Sequence, residues 1–81
     1  MSGTVVDARG LRCPLPVIRL AAVARDAPAG SEVVVLWSDP AARHDIPAWA
    51  RMRGHAVLGT VPAEGDAFAT TVLLGRGHPA P

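Results

Sequence analysis

The chain has 81 residues with a single cysteine and no lysine, and all eight of its positive side chains are arginine. The formal net charge is only +1. A dedicated nucleic-acid binder carries a clear basic excess, so direct nucleic-acid binding is not expected. One cysteine cannot close an intramolecular disulfide. The thiol of Cys13 is therefore buried and inert, reactive, or available to another protein. No C-x-x-C pair is present, which argues against a dithiol redox mechanism. His44, His55 and His78 have no metal-ligand spacing with each other or with Cys13. They are expected on the surface or in loops, with no metal and no cofactor. No apolar run approaches the roughly 20 residues of a spanning helix. The start, MSGTVVDARG, lacks the basic head and apolar middle of a signal peptide. The expected compartment is the cytoplasm, without a membrane partner. No internal repeat is visible.

What is present is a folding composition: 49% hydrophobic and 19% charged residues. One domain over residues 1–81 follows, with a modest core. The abundant alanine, proline and glycine read as compositional bias. Thr4 to Asp7 is a short β-branched strand signal, and Gly10 offers a turn. From Pro14 the period becomes helical, with Val17, Leu20, Ala21 and Ala24 on one face. Pro14 suits the first helical position, where its missing N–H costs nothing. Ala27 to Gly30 ends this helix in a turn.

Ser31 to Ser38, SEVVVLWS, is the strongest strand signal. Five consecutive apolar residues predict a central strand covered on both faces. If helices cover only one face, Leu36 or Trp37 is free to contact a partner. Asp39-Pro40 and Asp45-Ile46-Pro47 are two helix-start signals, each with Asp as cap. Pro47 would disrupt a helix already running from Pro40. The expectation is a helical turn over 40–43, then a main helix over 46–53 with Ile46, Trp49 and Ala50 inside and Met52 in the core. Gly54 ends it. Strands over 55–61 and 68–74 flank a hairpin loop, 62–66, and residues 75–81 are expected to fray. The order predicts an α+β fold: a two-layer βαβαββ sandwich, one mixed four-stranded sheet with two helices on one face.

This layout puts Cys13 at the N-terminal edge of the first helix. The partial positive charge there favours an anion and lowers a thiol pKa, and Arg12 and Arg9 can add positive potential. Pro14 and Pro16 have no N–H, so only Leu15 and Val17 donate in the first turn. That excludes a rich amide nest for phosphate. Replacing both prolines by alanine is expected to leave the fold largely intact. The competing view of Cys13 is a buried structural residue.

The stretch DARGLRCPLPVIRL resembles the signature of the TusA/SirA sulfur-carrier proteins, the small CPxP-motif family. PAGSEVVVLWSDPAARHDIPAWARMRGHAVL resembles the family's second strand, Asp-Pro turn, Asp-Ile-Pro helix start and third strand. Together these span residues 5 to 74 in the family's order. The resemblance implies a carrier that accepts sulfane sulfur as a persulfide on Cys13 and relays it, a sulfurtransferase-type carrier rather than a stand-alone turnover enzyme. Gly10, Arg12, Pro14 and Pro16 match the motif around Cys13, and Asp39, Pro40, Asp45 and Pro47 match the second motif. The implied donors are a cysteine desulfurase or rhodanese-like protein, and a DsrE-like protein is one implied acceptor. Pathways of the family include tRNA thiolation, molybdenum-cofactor biosynthesis and sulfur oxidation. The tRNA-thiolation branch has an acidic residue where this chain has Leu15, which sets the two apart.

Asp39 and Asp45 are read first as helix caps and second as partner-docking residues. Arg43, with Arg51 and Arg53, is read as a solvated face, or as a docking surface for an acidic partner. A monomer is expected. The competing function is a protein- or RNA-interaction or regulatory module in which Cys13 is structural.

Overall fold

The computed structural model describes residues 3–75. The elements are β1 (Gly3–Ala8), α1 (Leu15–Asp26), β2 (Glu32–Trp37), α2 (Ala42–Arg53), β3 (Ala56–Pro62) and β4 (Phe68–Leu73). They form one four-stranded sheet in the order β1-β2-β4-β3. β1 and β2 are parallel, joined across α1, while β4 is antiparallel to both β2 and β3. This is the expected α+β arrangement. A shift in pairing between Val57 and Gly59 interrupts the β3–β4 ladder. Of the tail expected to fray, residues 76–81 lie outside the described residues.

The pleat sorts β2 by face. Val33, Val35 and Trp37 are buried, while Val34 and Leu36 are only half-buried. The buried set joins Val6, Ala8 and Val72 of the neighbouring strands, Leu20 of α1, and Ala42, Ile46 and Ala50 of α2 in one core. β2 is central as expected, but both helices pack on the same face. The five-residue apolar run therefore meets a core on one side only. Trp37 belongs to that core, at 1% exposure, and is not the partner contact that the run left open. Its indole N–H donates to Thr70 Oγ1 at 2.8 Å, and Thr70 and Thr60 share a hydroxyl–hydroxyl bond of 2.8 Å. A buried indole keeps its donor satisfied in this way. On the opposite face Leu36 stands beside Asp7 and Ala69.

The helices depart from the sequence expectation at their starts. α1 begins at Leu15, with Pro14 in the cap position and no side-chain cap. Pro16 is one of the fully buried side chains, so it packs as well as shapes the helix. Leu20 is fully buried, whereas Val17, Ala21 and Ala24 are half-buried. α2 is one continuous helix, and Pro47 lies inside it. Its first turn is tied early: Ala42, Arg43 and His44 donate to the carbonyls of Asp39, Pro40 and Ala41. The helix is thus nucleated upstream of Pro47. The proline then removes only the bond that residue 47 would donate to Arg43. Asp45 consequently sits in the first turn rather than at a cap. Gly54 ends α2 with φ +78°, the left-handed cap expected of it. Met52, expected in the core, is 69% exposed. His55 is half-buried rather than on the surface: its Nδ1 accepts from Gly75 N–H at 3.0 Å and its ring tilts against Trp49. Burial, with Arg53 nearby, pushes its pKa down.

Candidate functional site

Because β1 and β2 are parallel, their C-terminal ends lie side by side, Ala8 paired with Trp37. The loops that follow, 9–14 and 38–41, must run next to each other. Both helices start there. Gly10 turns the first loop with φ +80°, a conformation that favours glycine. Its N–H donates to Ser38 Oγ at 2.9 Å. The Cys13 N–H donates to Asp39 Oδ2 at 2.7 Å. The other oxygen, Oδ1, accepts from Ala41 N–H at 3.3 Å. A single carboxylate thus ties the Cys13 loop to the approach of α2. The two N–H bonds hold the Asp39 pKa below its ordinary value, with Arg12 assisting.

Cys13 is half-buried and packs against the core, next to exposed Arg12, Pro14 and Leu15. At the start of α1 the Leu15 N–H is already bound to the Arg12 carbonyl, at 2.9 Å. Pro16 has no N–H. Among the described residues this leaves Val17 as the one first-turn amide without an acceptor. The helix end alone would favour a thiolate. The surroundings reverse that preference. Burial pushes the Cys13 thiol up to about 11, and the Asp45 carboxylate, which interacts with the thiol, and the charge of Asp39 act in the same direction. This corrects the lowered pKa expected from position alone.

Of the two cations expected to add positive potential, Arg12 acts on Asp39 and Arg9 is occupied elsewhere. Arg9 forms a double contact with Asp7, Nε to Oδ1 at 2.8 Å and Nη2 to Oδ2 at 2.7 Å, and this holds the Asp7 carboxyl down at about 2. Arg43 lies over the Phe68 ring at 4.8 Å and the Trp37 ring at 5.5 Å. Those two rings are stacked, their centroids 4.9 Å apart. Arg43 therefore covers an aromatic pair at the end of the sheet. The structure brings Gly10, Arg12, Cys13, Pro14, Asp39 and Asp45 to one end of the molecule. Sequence reasoning missed Ser38 and the link from Asp39 to Cys13. The signal was available in the parallel pairing of β1 with β2, which sets the residues after each strand side by side.

No helix among the described residues is long and apolar enough to cross a membrane. The family model described as Sulfurtransferase TusA matches residues 4–73. Putative sulfur carrier protein YrkI of Bacillus subtilis (strain 168) is 35% identical over 74 residues, covering 91% of this chain and 97% of that protein. Sulfur carrier protein TusA of Pseudomonas savastanoi pv. phaseolicola is 41% identical over 61 residues, 75% of this chain and 73% of the relative. Putative sulfur carrier protein YrkF of B. subtilis is 35% identical over 79 residues, 96% of this chain. The chain spans only 42% of YrkF's length. Among solved structures, the SirA-like protein from Desulfitobacterium hafniense matches with a TM-score of 0.76 at 28% identity, covering 90% of this chain and 99% of that one. With a family model matched across nearly its whole length and the same fold in a SirA-like relative, the chain belongs to the TusA family.

Proposed function

We propose that this protein is a sulfur carrier that takes sulfane sulfur onto Cys13 as a persulfide and hands it to another protein. The observation that carries this reading is the place of the only thiol: at the start of α1, where two loops converge beside exposed Leu15 and Pro14. With no second cysteine, the chain has no thiol of its own to resolve a persulfide into a disulfide.

The transfer is an exchange without net redox change. The Cys13 sulfur attacks the outer sulfur of a donor persulfide, a new S–S bond forms to Cys13, and the donor's S–S bond breaks. The thiol proton ends on the departing donor sulfur. The reverse exchange with an acceptor thiol unloads the carrier. Pro14 and Pro16 hold the backbone on either side of Leu15, and the Val17 amide and the helix dipole face the sulfur's end of α1. The donor proposed is a cysteine desulfurase or a rhodanese-like protein, and the acceptor is a protein thiol, a DsrE-like protein being one candidate. In this reading the chain is a carrier and not a stand-alone turnover enzyme.

The test is intact mass after incubation with a cysteine desulfurase and cysteine, or with thiosulfate and a rhodanese. Wild type gains one sulfur atom and Cys13→Ser gains none. No gain on wild type with either donor sinks the carrier and leaves the interaction module as the surviving function.

A further inference from the structure

The C-terminal ends of α2 and β4 meet at the end of the sheet opposite to Cys13. β4 runs there from Phe68, the partner of Trp37, to Leu73, the partner of Glu32. α2 ends there at Gly54. Both sides of this junction are fixed. On the α2 side, Gly54 takes φ +78° and the His55 backbone N–H donates back to the Ala50 carbonyl at 2.8 Å. That cap brings the His55 ring onto Trp49, their centroids 4.9 Å apart. On the β4 side, Leu74 N–H donates to the Ser31 carbonyl at 2.8 Å, and the Leu74 carbonyl accepts from Gly30 N–H at 2.7 Å. The chain then passes Gly54 so closely that a β-carbon on residue 75 would collide with the Gly54 carbonyl.

One hydrogen bond joins the two sides. Gly75 N–H donates to His55 Nδ1 at 3.0 Å, and among the described residues it meets no other acceptor. A backbone N–H is always a donor, so this Nδ1 must offer a lone pair and the ring proton must sit on Nε2. The bond therefore exists only for neutral imidazole. Imidazolium has N–H on both nitrogens, and its Nδ1–H would face the Gly75 N–H donor to donor.

We propose that His55 is a proton-operated latch: the neutral ring fastens the end of β4 to the end of α2, and protonation releases Gly75 from α2. Protons thereby set how firmly the chain is held at the point where residues 76–81 begin. The charges around the ring favour the closed state at neutral pH. α2 supplies Arg51 and Arg53 in its last turn. β3, β4 and the turn over 28–31 carry no charged side chain. The carboxylates at this end of the sheet are Glu32, paired with Gly3 and Leu73, and Asp26, beside Gly3 at the end of α1. Of these charges Arg53 is the one that acts on the ring. Burial, Arg53 and the bond to the neutral form all oppose protonation, so the latch opens below the ordinary imidazole value of 6.5. The latch is independent of sulfur carriage, since Cys13 lies at the other end of the sheet.

The test is an NMR titration of the full chain between about pH 4.5 and 8, the range in which a histidine changes charge. The His55 ring is followed at its Cε1 proton. The Gly75 amide is followed by its shift and by its exchange protection, corrected for the intrinsic rate. Gly75 should titrate with the His55 midpoint and lose protection several-fold below it. Leu74, bound to Ser31, should stay protected throughout. His55→Asn sets an uncharged carbonyl acceptor near the place of Nδ1 and should keep Gly75 protected at low pH. His55→Phe keeps a ring against Trp49 but offers no acceptor, and should lack Gly75 protection at every pH. A Gly75 amide that ignores the His55 titration overturns the latch, as does equal protection in wild type and His55→Phe at the alkaline end. A pH response of Gly75 that persists in His55→Asn traces the proton to another group and overturns it too. Loss of protection at Leu74 together with Gly75 means that the end of β4 opens as a whole, and the latch is again overturned. If His55→Phe does not fold, the wild-type titration and His55→Asn decide.

Discussion

The two helices begin at the same end of the sheet and settle their free N–H groups in partly different ways. α2 pairs its donors with backbone carbonyls in a tight first turn, from Ala42 N–H to Asp39 through His44 N–H to Ala41. α1 removes donors instead, with Pro14 at the cap and Pro16 in the first turn, and has no side-chain cap of its own. It borrows one: the carboxylate of Asp39, which belongs to the approach of α2, binds the Cys13 N–H. The anchor of the α1 start therefore comes from the neighbouring loop. Each helix also carries a proline near its start, and the two cost different amounts. At position 16 no N–H is needed, while at position 47 one helical bond is lost.

That contrast can be broken by substitution at the two prolines. Pro16→Ala should lower stability in urea unfolding by about 1–2 kcal/mol, because a fully buried ring is removed and no hydrogen bond is gained. An unchanged midpoint would mean that the ring contributes only backbone shape. Pro47→Ala should act with the opposite sign and a smaller size, raising stability by about 1 kcal/mol as residue 47 regains a donor for the Arg43 carbonyl. A loss of stability there would show that the half-buried ring of Pro47 matters more than the missing bond.

The smallest effect expected is an alkaline one, and it sharpens the electrostatic side of the contrast. The Cys13 thiol ionises at about 11 in the folded chain against an ordinary 9.0. Between those values the unfolded chain has lost its thiol proton while the folded chain keeps it. The stability that the raised pKa contributes is complete below about 9 and declines as the pH rises through this window. Solvent access to the half-buried thiol keeps the decline modest. Unfolding followed across pH 8 to 11 should show the decline in wild type and lose part of it in Cys13→Ser. A wild-type curve that rises with pH would mean the start of α1 outweighs the two carboxylates.

Much of the fold was legible because its signals are local. The apolar run over 33–37, the helical spacing of Val17, Leu20, Ala21 and Ala24, and Gly54 as a left-handed cap all act within a few residues. Where local signals failed, a longer-range contact had decided the outcome. Pro47 reads as a break until the first turn of α2 is seen to be tied upstream. Met52 reads as core until the helix is rotated by the packing of Ile46 and Ala50, which leaves it in solvent. Arg43 reads as a cation on a solvated face, with no sign in the sequence that Phe68, 25 positions later, lies beneath it (68 − 43). Cys13 itself was found from its neighbours, but the direction of its pKa was not, because Asp39 and Asp45 lie in a different loop and helix.

By itself the sequence determined the order of elements, the α+β class and the single thiol. These follow from side-chain periodicity, from proline and glycine at element ends, and from there being a single thiol. Only the tertiary structure decided which side of β2 is buried and which carboxylate holds the Cys13 amide. The reason is physical: electrostatics and hydrogen bonding act through space, and the parallel pairing of β1 with β2 brings residue 39 to residue 13 across 26 positions of chain.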